Sequence, residues 1–338
     1  MSLKDEIIGG IAWSTLARGA REVLRFAVTI ILARLLQPEA FGLVAMVFIF
    51  TGFAEIFSEA GFGDALVQHE EPEERHRSSV FWLNIGIGAF LTALFVGVAP
   101  FLADFYSEPR LELITMVVAT NFLLTSFNIV QMALLQRQMA FKELMIVRTV
   151  ALFGSGTVAL TLAFTGFGVW ALVAQTLIGT VMRVIAAWVA SDWYPRFSYD
   201  GDAIRDLLEF SGNLLGFNVV NYWVRKADDL LVGRFVGSSG LGIYNRAYEV
   251  MLAPITHLRS VIGNVMFPAL SKIQHDKPRA KAAYLRATRA IGLVSIPFMC
   301  FVFVLAEPLV VGIFGDHWAA VVPILQILCL VGVKQPVS

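Results

Sequence analysis

Cysteine is nearly absent: Cys300 and Cys329 are the only two in 338 residues. Each sits inside an apolar run, where a thiol behaves as a small hydrophobe, so neither a disulfide framework nor a cysteine metal site is supported. Charge is scarce as well. Asp, Glu, Lys and Arg make up 15% of the chain, and 26 basic residues cancel 26 acidic ones. The basic residues are scattered among apolar stretches, so no basic face for nucleic acid exists and that class is excluded. Catalytic patterns are missing: there is no phosphate-cradling GxxxxGK(S/T), no GxSxG nucleophile turn and no histidine pair at zinc spacing. No enzymatic activity, cofactor or metal is therefore expected. The glycine pairs Gly61/Gly63, Gly86/Gly88 and Gly166/Gly168 are spaced wrongly for a dinucleotide loop and are ordinary in apolar helices.

What is present is apolar. The chain is 57% hydrophobic, with a mean hydropathy of +0.71, well above a soluble domain, and reads as an all-α, polytopic integral membrane protein. Residues 78–103 and 113–136 carry no charge, and 149–191 carry only Arg183, with a break near Gly166 and Gly168 that makes two helices. Charged helices are expected near 11–35, 40–62, 209–235 and 240–270, a further one at 283–306, and another from Trp318, about ten transmembrane helices in all. Lys4, Asp5 and Glu6 precede the first apolar stretch and no small-residue cleavage site follows it, so it reads as a retained helix.

One stretch occurs twice. Residues 25–42 (RFAVTIILARLLQPEAFG) align with residues 225–242 (RKADDLLVGRFVGSSGLG) at a constant offset of 200, matching Arg25 to Arg225, Arg34 to Arg234 and Gly42 to Gly242. Six helices separate the copies, so both enter the membrane from one side and the repeat is parallel. Lys and Arg of the short loops (Arg75, Arg77, Arg137, Lys142, Arg196, Arg205, Lys272, Lys277, Arg279, Lys281) share the side of the N-terminus, which is thereby cytoplasmic. The expected organisation is a six-helix N-terminal lobe (1–191), an amphipathic cytoplasmic linker (192–208) and a C-terminal lobe (209–338) of about four helices. PFLADFY at 100–106 resembles PLVVGIF at 308–314, which sets Ser338 against Val130; the second lobe is apparently truncated, and completing it needs about two more spans.

Polar residues inside these helices are the candidates for function, because a charge at mid-membrane costs about 2.5–3.5 kcal/mol on insertion scales. Ser14, Arg18, Arg21, Arg25 and Thr29 fall on one helical face, and Asn218, Asn221, Arg225 and Asp229 repeat it 200 residues on. Both stripes are expected to face a shared, water-filled cavity; the rival is that Arg18 and Arg21 snorkel to the interface. The helix expected at 240–270 adds Arg246, Glu249, His257, Arg259 and Asn264, and the one at 40–62 adds Thr51, Glu55, Ser58 and Glu59. Here mutual pairing competes with a ligand role: Arg246 with Glu249, and Arg225 with Asp228 or Asp229. Glu55, Asp228, Asp229 and Glu249 are the candidates for proton coupling. Asn121, Thr125, Asn128 and Gln131 lie close to one face of helix four and suit either sugar hydroxyls or neighbouring helices. His69 and His76, with carboxylates between them, read as a solvated loop in preference to a metal site.

Five strings in order, GGIAWSTLARGAREVLRFAVTIILARLLQPEAFGLVAM, GFGDALVQ, GFGVWALVAQ, DDLLVGRFVGSSGLGIYNRAYEV and FPALSKIQ, resemble the bacterial polysaccharide transporter family. These are the O-antigen and exopolysaccharide flippases of the multidrug/oligosaccharidyl-lipid/polysaccharide superfamily. The resemblance implies two six-helix lobes around a cationic cavity in the bacterial inner membrane. Through it, polyprenyl-pyrophosphate-linked oligosaccharides are flipped by alternating access, with polysaccharide polymerase and chain-length proteins as partners. Guanidinium groups suit the pyrophosphate, so Arg25 and Arg225 come first among the ligands and Arg18, Arg21, Arg246 and Arg259 next, with Asn218 and Asn221 beside them. The alternatives are a cation-coupled drug exporter of the same superfamily, a lipid II flippase and a non-transporting membrane scaffold.

Overall fold

The computed structural model describes residues 3–59, 62–68, 73–272 and 276–332, with side chains within 3–18, 205–215 and 254–272 and at a few single positions outside the description. Every element among the described residues is helical: α1 (Leu3–Leu35), α2 (Pro38–Glu59), α3 (Phe62–Gln68), α4 (Glu74–Tyr106), α5 (Arg110–Ser126), α6 (Ile129–Arg137), α7 (Phe141–Phe164), α8 (Val169–Ala190), α9 (Gly201–Lys272), α10 (Lys277–Val304), α11 (Ala306–Phe314) and α12 (Val321–Gly332), with one 3₁₀ turn at Asp316–Trp318. Among them α2, α4, α7, α8 and α10 are each long and apolar enough to cross a bilayer, and the bent pair α5–α6 passes the same test only when its two helices are taken together. α1 and α9 are long enough but carry charges, and α12 is shorter, so length and composition alone do not reach the expected count of about ten.

The repeat has a structural trace. The chain breaks between α1 and α2 at residues 36–37, and 200 residues later α9 breaks at Gly237, whose φ of 89° and ψ of −178° suit only glycine. The second pair of matching strings is not alike in backbone: α4 runs on through Pro100, whereas its counterpart is interrupted at Leu305 and Pro308 stands in the first turn of α11. By packing, the chain forms two compact units, Met1–Ser238 and Ser239–Ser338. That partition falls at the Gly237 break, so the first arm of α9 packs within the first unit although the repeat pairs it with α1.

Small residues allow the helices of the first unit to close. Gly88 of α4 lies against Ser126 and the Phe122 carbonyl of α5, and one turn on Thr92 Oγ1 donates to Ala119 O at 3.0 Å, which sets the register of an antiparallel pair. Gly154 and Gly156 of α7 admit Met182 of α8 and Val28 of α1, and Gly179 of α8 admits Ser155. The uninterrupted helix expected over 113–136 is instead bent by 41° after Ser126. Ser126 Oγ donates back to Phe122 O at 2.8 Å, a bond that weakens a helix locally, and the Phe127 carbonyl is taken by Trp188 Nε1 at 2.8 Å. The break separates the four polar residues assigned to one face: Asn128 and Gln131 are buried beyond it, and Asn121 lines a cavity before it.

The segment between α8 and α9 is clasped to α4. Trp193 Nε1 donates to the Glu74 carboxylate at 3.0 Å, the Arg196 and Asp200 N–H groups donate to the hydroxyls of Ser78 and Ser79, and Trp82 stacks on Phe197 at 4.8 Å. Helix α9 begins at Gly201, inside the stretch expected to lie along the interface, and Ile204 is buried with Leu66, Phe81, Val130 and Leu134. His76 is buried and accepts the Glu73 N–H on Nδ1 at 3.2 Å, a helix-capping role; His69 lies outside the described residues. At the opposite end Arg110 pairs with Glu108 at 2.8 Å and with Glu39, joining the starts of α5 and α2. These bonds from Arg110 hold the Glu108 carboxyl below the usual carboxylate range and raise the already high Arg110 value.

Candidate functional site

The duplicated stripes differ in how their arginines are held. On α1, Arg25 pairs with Glu22 at 2.6 Å across one turn, and Arg21 is half-buried beside it. On α9, Arg225 Nε donates to the neutral amide oxygen of Asn221 at 2.9 Å. The expected alternative, Arg225 neutralised by Asp228 or Asp229, is not what the helix does: Asp229 is buried and bonded to Lys226 at 2.6 Å, and Asp228 is exposed. Asn218 lies exposed one turn before Arg225's partner. The side chains of Arg18 and Arg259 lie outside the described residues.

Arg246 has a different character. Its guanidinium is buried in the second unit, 5.3 Å from the ring centres of both Phe314 and Trp318, and pairs with the exposed Glu249 at 2.9 Å. The pairing weighed against a ligand role is the one observed, and Arg246 holds α9 to the turn at Asp316–Trp318 as a cation under two aromatic faces.

Further polar groups gather where α2, α5 and α8 meet. A cavity of about 290 Å³ is lined by Phe48, Thr51, Gly52, Glu55, Val118, Asn121, Phe122 and Thr176. Thr51, Val118 and Phe122 are buried and form its floor, while Glu55 is exposed at its mouth. Tyr222 of α9 sits over Gly52, where an added Cβ would lie 2.8 Å from the phenol oxygen, and it donates to Ile49 O at 2.7 Å. Phe53 packs on Tyr222 and Trp223, with ring centres 5.9 and 5.2 Å apart. Glu55 is within electrostatic range of both Tyr222 and Arg183, and Arg183 within that of Arg148.

Sequence reasoning named Thr51, Glu55 and Asn121 but not Glu22, Thr176, Arg183, Tyr222 or Lys226 as members of a site. Arg183 had a visible signal, being the one charge in the run 149–191. Thr176 and Tyr222 had none, because nothing in their spacing says which helices will meet.

The helical architecture is that of known membrane transporters. Over 96% of this chain and 74% of the other, it superposes on a solved structure of lipid II flippase MurJ in an inward closed conformation with a TM-score of 0.75 at 14% identity. Over 94% and 78%, it superposes on the inward-facing conformation of a multidrug resistance MATE family transporter with a TM-score of 0.69 at 17% identity. The class is therefore a multi-pass membrane protein of that fold. Residues 31–323 match the family described as polysaccharide biosynthesis protein, and the chain belongs to that family. It is 30% identical to the succinoglycan biosynthesis transport protein ExoT of Rhizobium meliloti, over 97% of this chain and 67% of the relative. It is 29% identical to the teichuronic acid biosynthesis protein TuaB of Bacillus subtilis, over 99% and 70%.

Proposed function

We propose that this chain moves polyprenyl-pyrophosphate-linked oligosaccharides across the bacterial inner membrane during polysaccharide biosynthesis. The reading rests on one observation above others: Arg225, exposed on α9, is held by a neutral amide, and no described carboxylate lies within ion-pair distance of it. Placing such a cation in an apolar setting is costly, and a guanidinium pre-oriented by Asn221 is suited to a bidentate grip on phosphate oxygens. Arg25 and Arg21 on the repeated helix and Asn218 form the rest of the proposed anion path, with Arg25 restrained by Glu22. Arg246 is left out, since its guanidinium already lies under two rings. Family membership supports the substrate class, and relatives named for succinoglycan, a teichuronic acid and other polymers leave the glycan itself open.

In the same proposal the lobes are residues 1–191 and 209–338 and rock about the linker with the N-terminus cytoplasmic. Glu55, Asp228, Asp229 and Glu249 are the proposed proton-coupling carboxylates, Asp229 and Glu249 each within an ion pair, with Lys226 and Arg246. Polysaccharide polymerase and chain-length proteins are the proposed partners. The test is a host lacking the gene, complemented with Arg225→Ala or Arg225→Lys and assayed by mass spectrometry for accumulated lipid-linked oligosaccharide. The alanine variant should insert at normal levels and leave the intermediate accumulated, with lysine relieving it in part. Normal relief by a well-inserted Arg225→Ala would refute the assignment.

A further inference from the structure

The cavity between α2, α5 and α8 has a composition that the arginine path does not explain. Its polar lining consists of an amide, two hydroxyls and a carboxylate. Asn121 Oδ1 is buried and makes no hydrogen bond to a described residue. Thr51 Oγ1 donates to Val47 O and Thr176 Oγ1 to Leu172 O, each at 3.2 Å, so both hydroxyls already use their protons within their own helices and offer lone pairs to the cavity. Glu55 contributes a carboxylate. Two aromatic rings, Phe48 and Phe122, supply the apolar part.

A lining of amide, hydroxyls and carboxylate asks for a neutral ligand whose groups both donate and accept. A pyrophosphate has only acceptors and would meet the Glu55 carboxylate, so the anion does not belong here. A small lipophilic cation fits the rings and the carboxylate but leaves the Asn121 amide and the two hydroxyls without a use. A pyranose ring satisfies both demands: several hydroxyl donors at its edge and C–H groups on its faces for the rings to cover. At about 290 Å³ the cavity is at the small end of ligand pockets, about 300–1,000 Å³, and has room for one ring but not for a chain.

We propose that this cavity is a monosaccharide subsite that takes one sugar ring of the lipid-linked glycan, with Asn121, Glu55, Thr51 and Thr176 hydrogen-bonding its hydroxyls against Phe48 and Phe122. The proposal rests on the transport reading above, and assigns to it the residues that tell a glycosylated lipid from a bare one. A site built to bond hydroxyls discriminates against a ligand lacking them, because its own buried acceptors then stay unpaired.

The test uses the full chain in lipid nanodiscs with two probes, polyprenyl pyrophosphate and polyprenyl pyrophosphate carrying one hexose. The wild type should bind the glycosylated probe about tenfold more tightly. Asn121→Leu should bring the two affinities together while leaving the bare lipid's unchanged, and Glu55→Gln, the gentler variant should the first fail to fold, should narrow the gap in the same direction. Arg225→Ala should weaken both probes alike. Equal affinities in the wild type, an unaltered ratio in the folded Asn121 and Glu55 variants, or displacement of the glycosylated probe by tetraphenylphosphonium would each overturn the subsite while leaving the transport reading in place. Failure of the wild type to bind either probe would overturn the transport reading itself.

Discussion

Gly88→Ala tests how tightly α4 and α5 are locked, and through them where Asn121 stands. A Cβ at position 88 would lie 2.1 Å from Ser126 Oγ, 2.8 Å from Phe122 O and 3.2 Å from Leu123 Cα. The serine can rotate away, but it then gives up its 2.8 Å bond to Phe122 O, worth about 1 kcal/mol. The carbonyl is backbone and cannot rotate. Bringing 2.8 Å out to an ordinary 3.4 Å contact moves the helices apart by about 0.6 Å, and such overpacking costs about 1–3 kcal/mol. Against this, alanine in place of glycine favours the helix by about 1 kcal/mol. The net loss is about 1–3 kcal/mol, read as a lower apparent Tm of the detergent-purified protein. Gly86→Ala and Gly97→Ala on the same helix are the controls: nothing lies within 4 Å of either Cβ, so each should keep or raise the Tm. Gly88→Ala/Ser126→Ala should recover only part of the loss, because the carbonyl contact remains. A Gly88→Ala protein as stable as Gly86→Ala would refute the close crossing, and with it the position of α5 on which the cavity depends.

Four other outcomes can be measured in the same preparations. Gly237→Ala forces a φ of 89° on a residue with a Cβ and should lower thermal stability by about 1–3 kcal/mol even though the space around it is open. Trp188→Phe keeps an aromatic ring but strips the donor from the Phe127 carbonyl, at a cost of about 1–3 kcal/mol in the same melt. Because the folded-state value of Glu108 is depressed by Arg110, its stabilising contribution is present above the ordinary carboxylate range and is lost as pH falls through the depressed value. Melting curves of wild type and Glu108→Gln should therefore differ near neutral pH and converge as the pH is taken below the ordinary carboxylate range. Arg246→Ala removes the cation and its stem from beneath two rings and should lower the Tm, whereas Arg246→Met, which refills the space, should recover most of it.

The membrane setting was legible because composition acts on solvent: a chain 57% hydrophobic with uncharged runs of spanning length has one medium in which it is stable. The repeat was legible because duplication leaves matched residues at a fixed offset, and the Gly237 break stands where residue 37 leads one to look. Pairs three or four residues apart on one helix were also within reach, and Arg246 with Glu249 formed as expected. Arg225 with an aspartate did not: two acceptors lie within reach along α9, and which is used depends on rotamers that packing selects.

What linear spacing does not contain is the meeting of separate helices. Thr51, Asn121 and Thr176 are polar residues on three apolar helices, and each alone reads as ordinary helix packing. The break after Ser126 separates Asn121 from Asn128 and Gln131 and leaves Asn121 facing α2 and α8; the sequence shows an unbroken apolar run there. The position of Tyr222 over Gly52 likewise joins residues 170 apart, through a glycine whose missing Cβ is the space the ring's hydroxyl occupies. Sequence by itself determined the solvent, the repeat and the family, since each is carried by residue type and order along the chain. Only the tertiary structure decided which polar side chains share a cavity, because in a protein whose helices are all apolar nothing but the shape of their contacts distinguishes one neighbour from another.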